Sequence, residues 1–207
     1  MKFRPLTPDG LADEIAERID THPQPWIRAA IDGPPPANTS DLADAVAQRL
    51  KVKGRPVVRV HTHDYLRPAS LRYEHGRTNP DVFHDEWLDV SGLLREVFDP
   101  TEPGGTGRVL PALWNAATDR AYRADYVQLA EGGVVLLDGS LLLGRWLPFD
   151  LTVHLHMSAA ARARRTSDAD RWTLPAYDRY ETETQPHLTA DLVARVDDPG
   201  HPALAVF

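Results

Sequence analysis

The chain of 207 residues contains no cysteine. That excludes a disulfide framework, thiolate metal ligands and a cysteine nucleophile. It also lacks any apolar run of the roughly 18 residues that a membrane span needs. The stretch Met1–Pro5 has no apolar core of the signal-peptide kind. A cytoplasmic protein without a membrane partner is the expectation. Positive charge is in short supply: 23 Lys and Arg face 30 Asp and Glu, a net charge of −7. A nucleic-acid binder held by counterion release needs a basic face, so that class is not expected. Lysine occurs only at positions 2, 51 and 53. A cation that serves phosphate in this chain is therefore expected to be arginine.

What is present is ordinary for a globular protein, with 42% apolar and 26% charged residues. The length suits one domain with a full core, or a domain with a small lid. Leu11, Ile15 and Ile19 recur at helical spacing after Thr7-Pro8-Asp9-Gly10. Buried strands are predicted at 26–32, 57–61, 133–139, 151–156, 192–196 and 203–206. Helices are predicted at 41–52, 86–98, 158–165 and 173–188, with a polar loop region at 64–85 and a β-excursion within 108–130. Strands alternating with helices imply right-handed crossovers and a parallel sheet covered on both faces. Ligands then bind beyond the carboxyl ends of the strands, where Gly33, His63, Asp64 and Asp138 fall.

Between strand 26–32 and helix 41–52 lies Gly33-Pro34-Pro35-Pro36-Ala37-Asn38-Thr39-Ser40. Strand, eight-residue loop and helix form the setting of the phosphate-binding G-x-x-x-x-G-K-S/T loop. Gly33 and Ser40 are in register. Asn38 stands at the second glycine and Thr39 at the lysine. Three prolines remove three amides that such a loop offers to phosphate. Ser40 either ligates Mg²⁺ or, like Thr39, caps the helix.

Further along, Thr62-His63-Asp64-Tyr65-Leu66-Arg67-Pro68 follows the second strand, and Arg72-Tyr73-Glu74-His75-Gly76-Arg77-Thr78-Asn79-Pro80-Asp81-Val82-Phe83 comes after it. Leu136-Leu137-Asp138-Gly139-Ser140-Leu141-Leu142-Leu143 and the stretch Ala190–Pro199 complete the set. Together with the loop, these segments resemble, in order, the motifs of the uridine kinase and phosphoribulokinase-like P-loop kinases. The likeness spans nearly the whole chain. It implies an α/β, three-layer P-loop kinase fold, with a mostly parallel sheet and a reduced lid, in a single domain over 1–207. The lid remnant lies at about 162–175.

The resemblance assigns roles to particular residues. His63 takes the place of the family's hydroxyl-activating Asp, with Asp64 beside it, and either serves as base. Arg67 or Arg165 supports charge. Gly33, Asn38, Thr39, Ser40, Arg162 and Arg165 would hold ATP, and Ser40 and Asp138 would hold Mg²⁺. Asp138 is equally readable as a turn cap. Tyr65, Arg67, Tyr73 and Phe83 either line a nucleoside pocket or pack the loop onto the core.

His61-Thr62-His63 and His154-Leu155-His156 each place two imidazoles on one strand face. Such pairs suit a metal site. However, 207 residues are too few for a barrel-type metal hydrolase, and His154 and His156 are read as ordinary strand histidines. The acidic stretch at 181–183 is read as a solvated helix face. Two functional readings remain. One is ATP- and Mg²⁺-dependent phosphotransfer to a nucleoside or similar hydroxyl substrate. The other is an inactive relative without ATP or Mg²⁺ that binds a nucleoside, nucleotide or partner protein in a regulatory or scaffold role. No feature of the chain sets an oligomeric state.

Overall fold

The computed structural model describes residues 2–206. Strand β1 (Lys2–Pro5) leads to helix α1 (Pro8–Asp20), where the Thr7 hydroxyl accepts a hydrogen bond from the Gly10 amide and caps the first turn. β2 (Ile27–Asp32) passes through a 3-10 turn at Pro35–Ala37 into α2 (Thr39–Val52). β3 (Val57–His61) leads through another such turn, Thr62–Asp64, to three short helices, α3 (Ala69–Arg72), α4 (Pro80–Glu86) and α5 (Val90–Leu93). The expected excursion then forms two small ribbons from β4 (Arg108–Val109), β5 (Trp114–Asn115), β6 (Arg120–Ala121) and β7 (Val127–Gln128), with β4 paired to β7 and β5 to β6. β8 (Val134–Gly139), β9 (Leu151–His156), α6 (Ala159–Arg165), α7 (Leu174–Glu183), α8 (Pro186–Thr189), β10 (Leu192–Arg195) and β11 (Ala203–Val206) complete the chain.

Seven strands form one sheet in the order β1-β11-β10-β9-β2-β8-β3. The five strands from β10 to β3 are parallel. β11 and β1 are antiparallel additions at one edge, and β1 was not foreseen. The physical reason is chain length. Residues 196–202 are too few for the dozen or so that a parallel crossover requires, so β11 has to fold straight back.

Two predicted helices break. The segment 86–98 divides because Asp89 accepts from the Gly92 amide and starts α5 anew, after which Leu94–Phe98 widens into a π turn. The segment 173–188 divides at Gln185, which takes a left-handed conformation (φ 50°) before Pro186. Proline has no N–H to continue the ladder, and its ring clashes with the preceding turn.

Alternation along the strands sorts two faces. Ile27, Ala29 and Ile31 of β2 join Val134, Leu136, Val153 and Leu155 beneath α1 and α2. Ala30, Val135 and Leu137 face the opposite way, under the segment Leu88–Phe98. Tyr177 and Tyr180 of α7 cover Val193 and Ala205 on that same opposite side. Among the described residues, no helix is long and apolar enough to cross a membrane.

Candidate functional site

The loop after β2 is built tightly. A Cβ on Gly33 would stand 2.9 Å from the Leu155 Cβ, so the backbone approaches β9 more closely than a side chain allows. The Gly33 amide donates to the Gly139 carbonyl at 2.9 Å, and the Ser140 hydroxyl donates to the Gly33 carbonyl at 2.8 Å. Pro34, Pro35 and Pro36 have no amide hydrogen. The Ala37 amide donates to the Pro34 carbonyl and the Asn38 amide to the Pro35 carbonyl. Asn38 itself sits in the left-handed region at φ 58°, ψ 48°, which asparagine tolerates better than other side-chain-bearing residues. Every N–H from Gly33 to Asn38 is therefore absent or bonded within the protein. Only the first turn of α2, from Thr39 and Ser40 onward, keeps amides free of a helical partner.

Beyond this loop, at the carboxyl edge of the sheet, lies a cavity of about 700 Å³. The structure brings Thr39, Ser40, His63, Asp64, Tyr73, Phe83 and Asp138 together on its wall. Phe83, Trp87 and Tyr177 are shared with an adjoining cavity of about 450 Å³ that reaches Arg165 and Trp172. The partition is aromatic. Phe83 meets Trp87 edge-on at 5.0 Å between ring centres and Trp172 at 5.5 Å, and Tyr73 lies 5.7 Å from Trp87. The Arg72 guanidinium lies 4.8 Å from the Tyr73 ring centre and 5.1 Å from that of Trp87. A planar, polar-rimmed ligand suits walls of this kind.

Asp138 does not stand free. Arg59 donates to its Oδ1 at 2.6 Å, and the His61 Nδ1 lies 2.9 Å from the same oxygen. Arg59 also pairs with Asp44 of α2. The hydrogen bond to Asp138 holds the His61 pKa above the usual imidazole value, although burial and Arg59 work against it. Sequence reading passed over Arg59 and weighed His61 only as one of a histidine pair with His63, not as a partner of Asp138. The signal was the alternation in Val57–His61, which sends Val58 and Val60 into the core and leaves 57, 59 and 61 on the other face.

Other expected site residues fall elsewhere. Tyr65 is fully buried, and its hydroxyl donates to the Leu110 carbonyl at 2.5 Å. It is a core residue because a polar tip with an internal acceptor buries readily, and it does not line the cavity. Arg67 turns toward Glu86, 3.5 Å from its carboxylate, while Arg72 takes the place beside the aromatics. Arg162 is buried against Asp178 at 2.5 Å and is no lid cation. Arg165 donates to the Asp197 carbonyl and lines only the adjoining cavity. Asn38 also lies off the main cavity.

These facts bear on ATP and Mg²⁺. A triphosphate needs a cradle of free amides and a cation. Here the loop amides are tied internally, the lysine position holds a largely buried Thr39, and the nearby Arg59 is paired to two carboxylates. The acid that would hold Mg²⁺ through water carries an arginine and a histidine instead. The residues present do not fit an ATP–Mg²⁺ group.

No family model and no curated protein matches the chain. Solved structures do. A possible uridine kinase from Bacillus stearothermophilus superposes with a TM-score of 0.70 at 21% identity, over 88% of this chain and 96% of that one. A proposed fructose transport system kinase from Silicibacter sp. TM1040 gives 0.57 at 21% identity, over 83% and 95%. The YGR205w protein gives 0.59 at 10% identity, over 98% and 100%. At these identities the likeness shows the fold. The chain has the mixed α/β, mostly parallel fold of the P-loop kinases.

Proposed function

We propose that this protein binds a nucleoside or nucleoside monophosphate in the 700 Å³ cavity and performs little or no ATP-dependent phosphotransfer. Its role is then that of a regulatory or scaffold relative within a kinase-like fold, in a cytoplasmic setting. The observation that carries this reading is the state of the loop: from Gly33 to Asn38, no amide is available to a phosphate. Removing one well-placed donor already costs about a hundred- to a thousandfold in rate, and here several amides and the lysine are missing together. The aromatic wall of Tyr73, Phe83 and Trp87, with Arg72 beside it, retains what a base and ribose require. The similarity to a possible uridine kinase puts uridine and cytidine first among ligands to try.

Thermal-shift titrations with uridine, cytidine, their monophosphates and ATP–Mg²⁺ test this reading. A ligand at 100 times its Kd stabilises by about 2.7 kcal/mol, well within detection. A shift with a nucleoside or monophosphate and none with ATP–Mg²⁺ is the expected result. A shift with ATP–Mg²⁺ alone would reverse it.

A second reading, an active phosphotransferase, draws on one observation: Ser40, His63 and Asp64 line the same cavity as the open first turn of α2. Uridine phosphorylation at roughly 1–100 per second, the range of working kinases, would establish it.

A further inference from the structure

On the opposite face of the sheet from Asp138, β9 presents His154 and His156 to the end of α7. Strand alternation puts both imidazoles on the side away from α1 and α2, because Val153 and Leu155 fill the other core. The His154 Nε2 lies 3.6 Å from the Glu181 Oε1, and the His156 Nδ1 lies 3.6 Å from the same oxygen. The three atoms all fall within 4.8 Å of one another. Ligand atoms about 2.1 Å from a tetrahedral ion sit about 3.4 Å apart, so both edges that meet at Glu181 are close to those of a coordination shell. Glu181 is therefore not part of a solvated face. It is partly buried and turned toward the histidines.

A second observation points to a ligand at this triangle. The His154 side chain is 1% exposed, yet its Nε2 has no hydrogen-bond partner, and the buried His156 Nδ1 has none either. Both orphaned nitrogens face the same carboxylate oxygen. The surrounding groups hold the triangle in place. The other His154 nitrogen, Nδ1, is 2.7 Å from the Asp32 Oδ2. Asp32 also accepts from the Tyr180 hydroxyl and the Leu142 amide. The His187 Nδ1 lies 3.1 Å from the Glu181 Oε2, which leaves Oε1 to the histidines. His187 reaches that place because the left-handed turn at Gln185 folds α8 back toward β9. A carboxylate behind a ligating imidazole fixes its tautomer and orientation. His156 and His187 are partly exposed, and they give an entry path from solvent.

We propose that His154, His156 and Glu181 bind one Zn²⁺ ion, with Asp32 and His187 orienting the ligands and a fourth position open to water. Two imidazoles and one carboxylate suit Zn²⁺, whereas Mg²⁺ prefers an all-oxygen shell. Because Asp32 directly precedes Gly33, an ion here clamps α7 to the strand end that launches the loop.

Isothermal titration of the metal-free full chain with Zn²⁺ is the test, with Mg²⁺ and His201→Ala as controls. The expected result is one equivalent of Zn²⁺ bound, no Mg²⁺ binding, and unchanged affinity in His201→Ala. His156→Ala and Glu181→Gln each weaken Zn²⁺ binding by more than about a hundredfold, beyond the 10–100-fold of changes behind the ligands. X-ray absorption of the Zn²⁺-loaded unmodified protein needs no variant to fold, and it should count two imidazole nitrogens. No stoichiometric Zn²⁺ binding, an affinity in both variants unchanged from that of the unmodified protein, or an oxygen-only shell overturns the proposal.

Discussion

Asn38 and Asp138 show at the scale of single residues how the loop after β2 and its surroundings differ from a phosphate-binding loop. Asn38 keeps the left-handed backbone that the second glycine of such a loop supplies, so the turn survives without the glycine. Its amide, however, closes onto Pro35. The absence of the lysine and of three amides was legible in the sequence, because proline and threonine identities alone decide them. The fate of the remaining amides was not, since it depends on how closely Pro34–Asn38 winds. Asp138 was legible as an acid at a strand end but not as one already paired, because Arg59 and His61 lie on a strand that is distant in sequence. That pairing gives a pH prediction. The folded pKa of His61 is raised, chiefly by Asp138 and further by Asp64, with Arg59 and burial opposing. Its contribution to stability is therefore complete below the unfolded value of about 6.5 and is lost as pH rises through the higher folded value. Urea unfolding of the unmodified protein and of His61→Asn across this window should show the unmodified protein losing its advantage as pH climbs. A difference that stays flat with pH would show that the pair does not hold the proton.

At the scale of elements, the docking of α4 against α7 shapes the cavity wall. Two kinds of contact join them. Phe83 inserts among Trp87, Trp172 and Tyr177, with ring centres 5.0 to 6.0 Å away. At the surface, Arg179 of α7 pairs with Asp85 at 2.8 Å and Asp81 at 3.5 Å. Magnitudes separate them. Truncating a core aromatic costs about 3–5 kcal/mol, so the half-buried Phe83→Ala should cost about 2–3. Exposed ion pairs contribute roughly 0–1 kcal/mol, so Arg179→Ala should cost less than about 1. Equal losses in urea midpoint would refute the claim that the aromatic cluster holds the wall. The sequence showed Tyr73 and Phe83 but set them in a polar loop region, and it placed Trp87 at the start of a helix. The short helices α3 and α4 escaped because four- and seven-residue helices carry too few turns for a periodic stripe. The breaks at Asp89 and Pro186 were legible as a capping residue and a proline, but the apolar spacing on either side of them masked both. Tyr65 looked like a stacking residue only because Leu110, the acceptor for its hydroxyl, is 45 positions away in the chain.

The whole molecule is tied together by its sheet. The parallel centre was legible, since β2, β8 and β9 are short apolar runs of the kind buried on both faces. The antiparallel edge was not, because Lys2–Pro5 has an exposed strand's composition and gains its place only by pairing with Ala203–Val206. That pairing joins the two ends of the described chain, and the helices between them pack onto one sheet or the other side of it. If 1–207 forms a single domain, as we propose, loss of the sheet and loss of the aromatic wall have to coincide. Two of the five tryptophans, Trp87 and Trp172, lie in that wall, so tryptophan fluorescence of a variant with Trp26, Trp114 and Trp146 replaced by Phe reports on it, while far-UV circular dichroism reports on the sheet and helices. Cooperative unfolding of a single domain makes such probes overlay. The prediction is one urea transition with the same midpoint and slope by both probes. The segment 162–175 is where separate behaviour would arise, since Trp172 sits in the short stretch proposed as a lid remnant. A fluorescence transition at lower urea than the dichroism transition would show the lid segment and aromatic wall opening ahead of the sheet, and the single-domain reading would have to be given up.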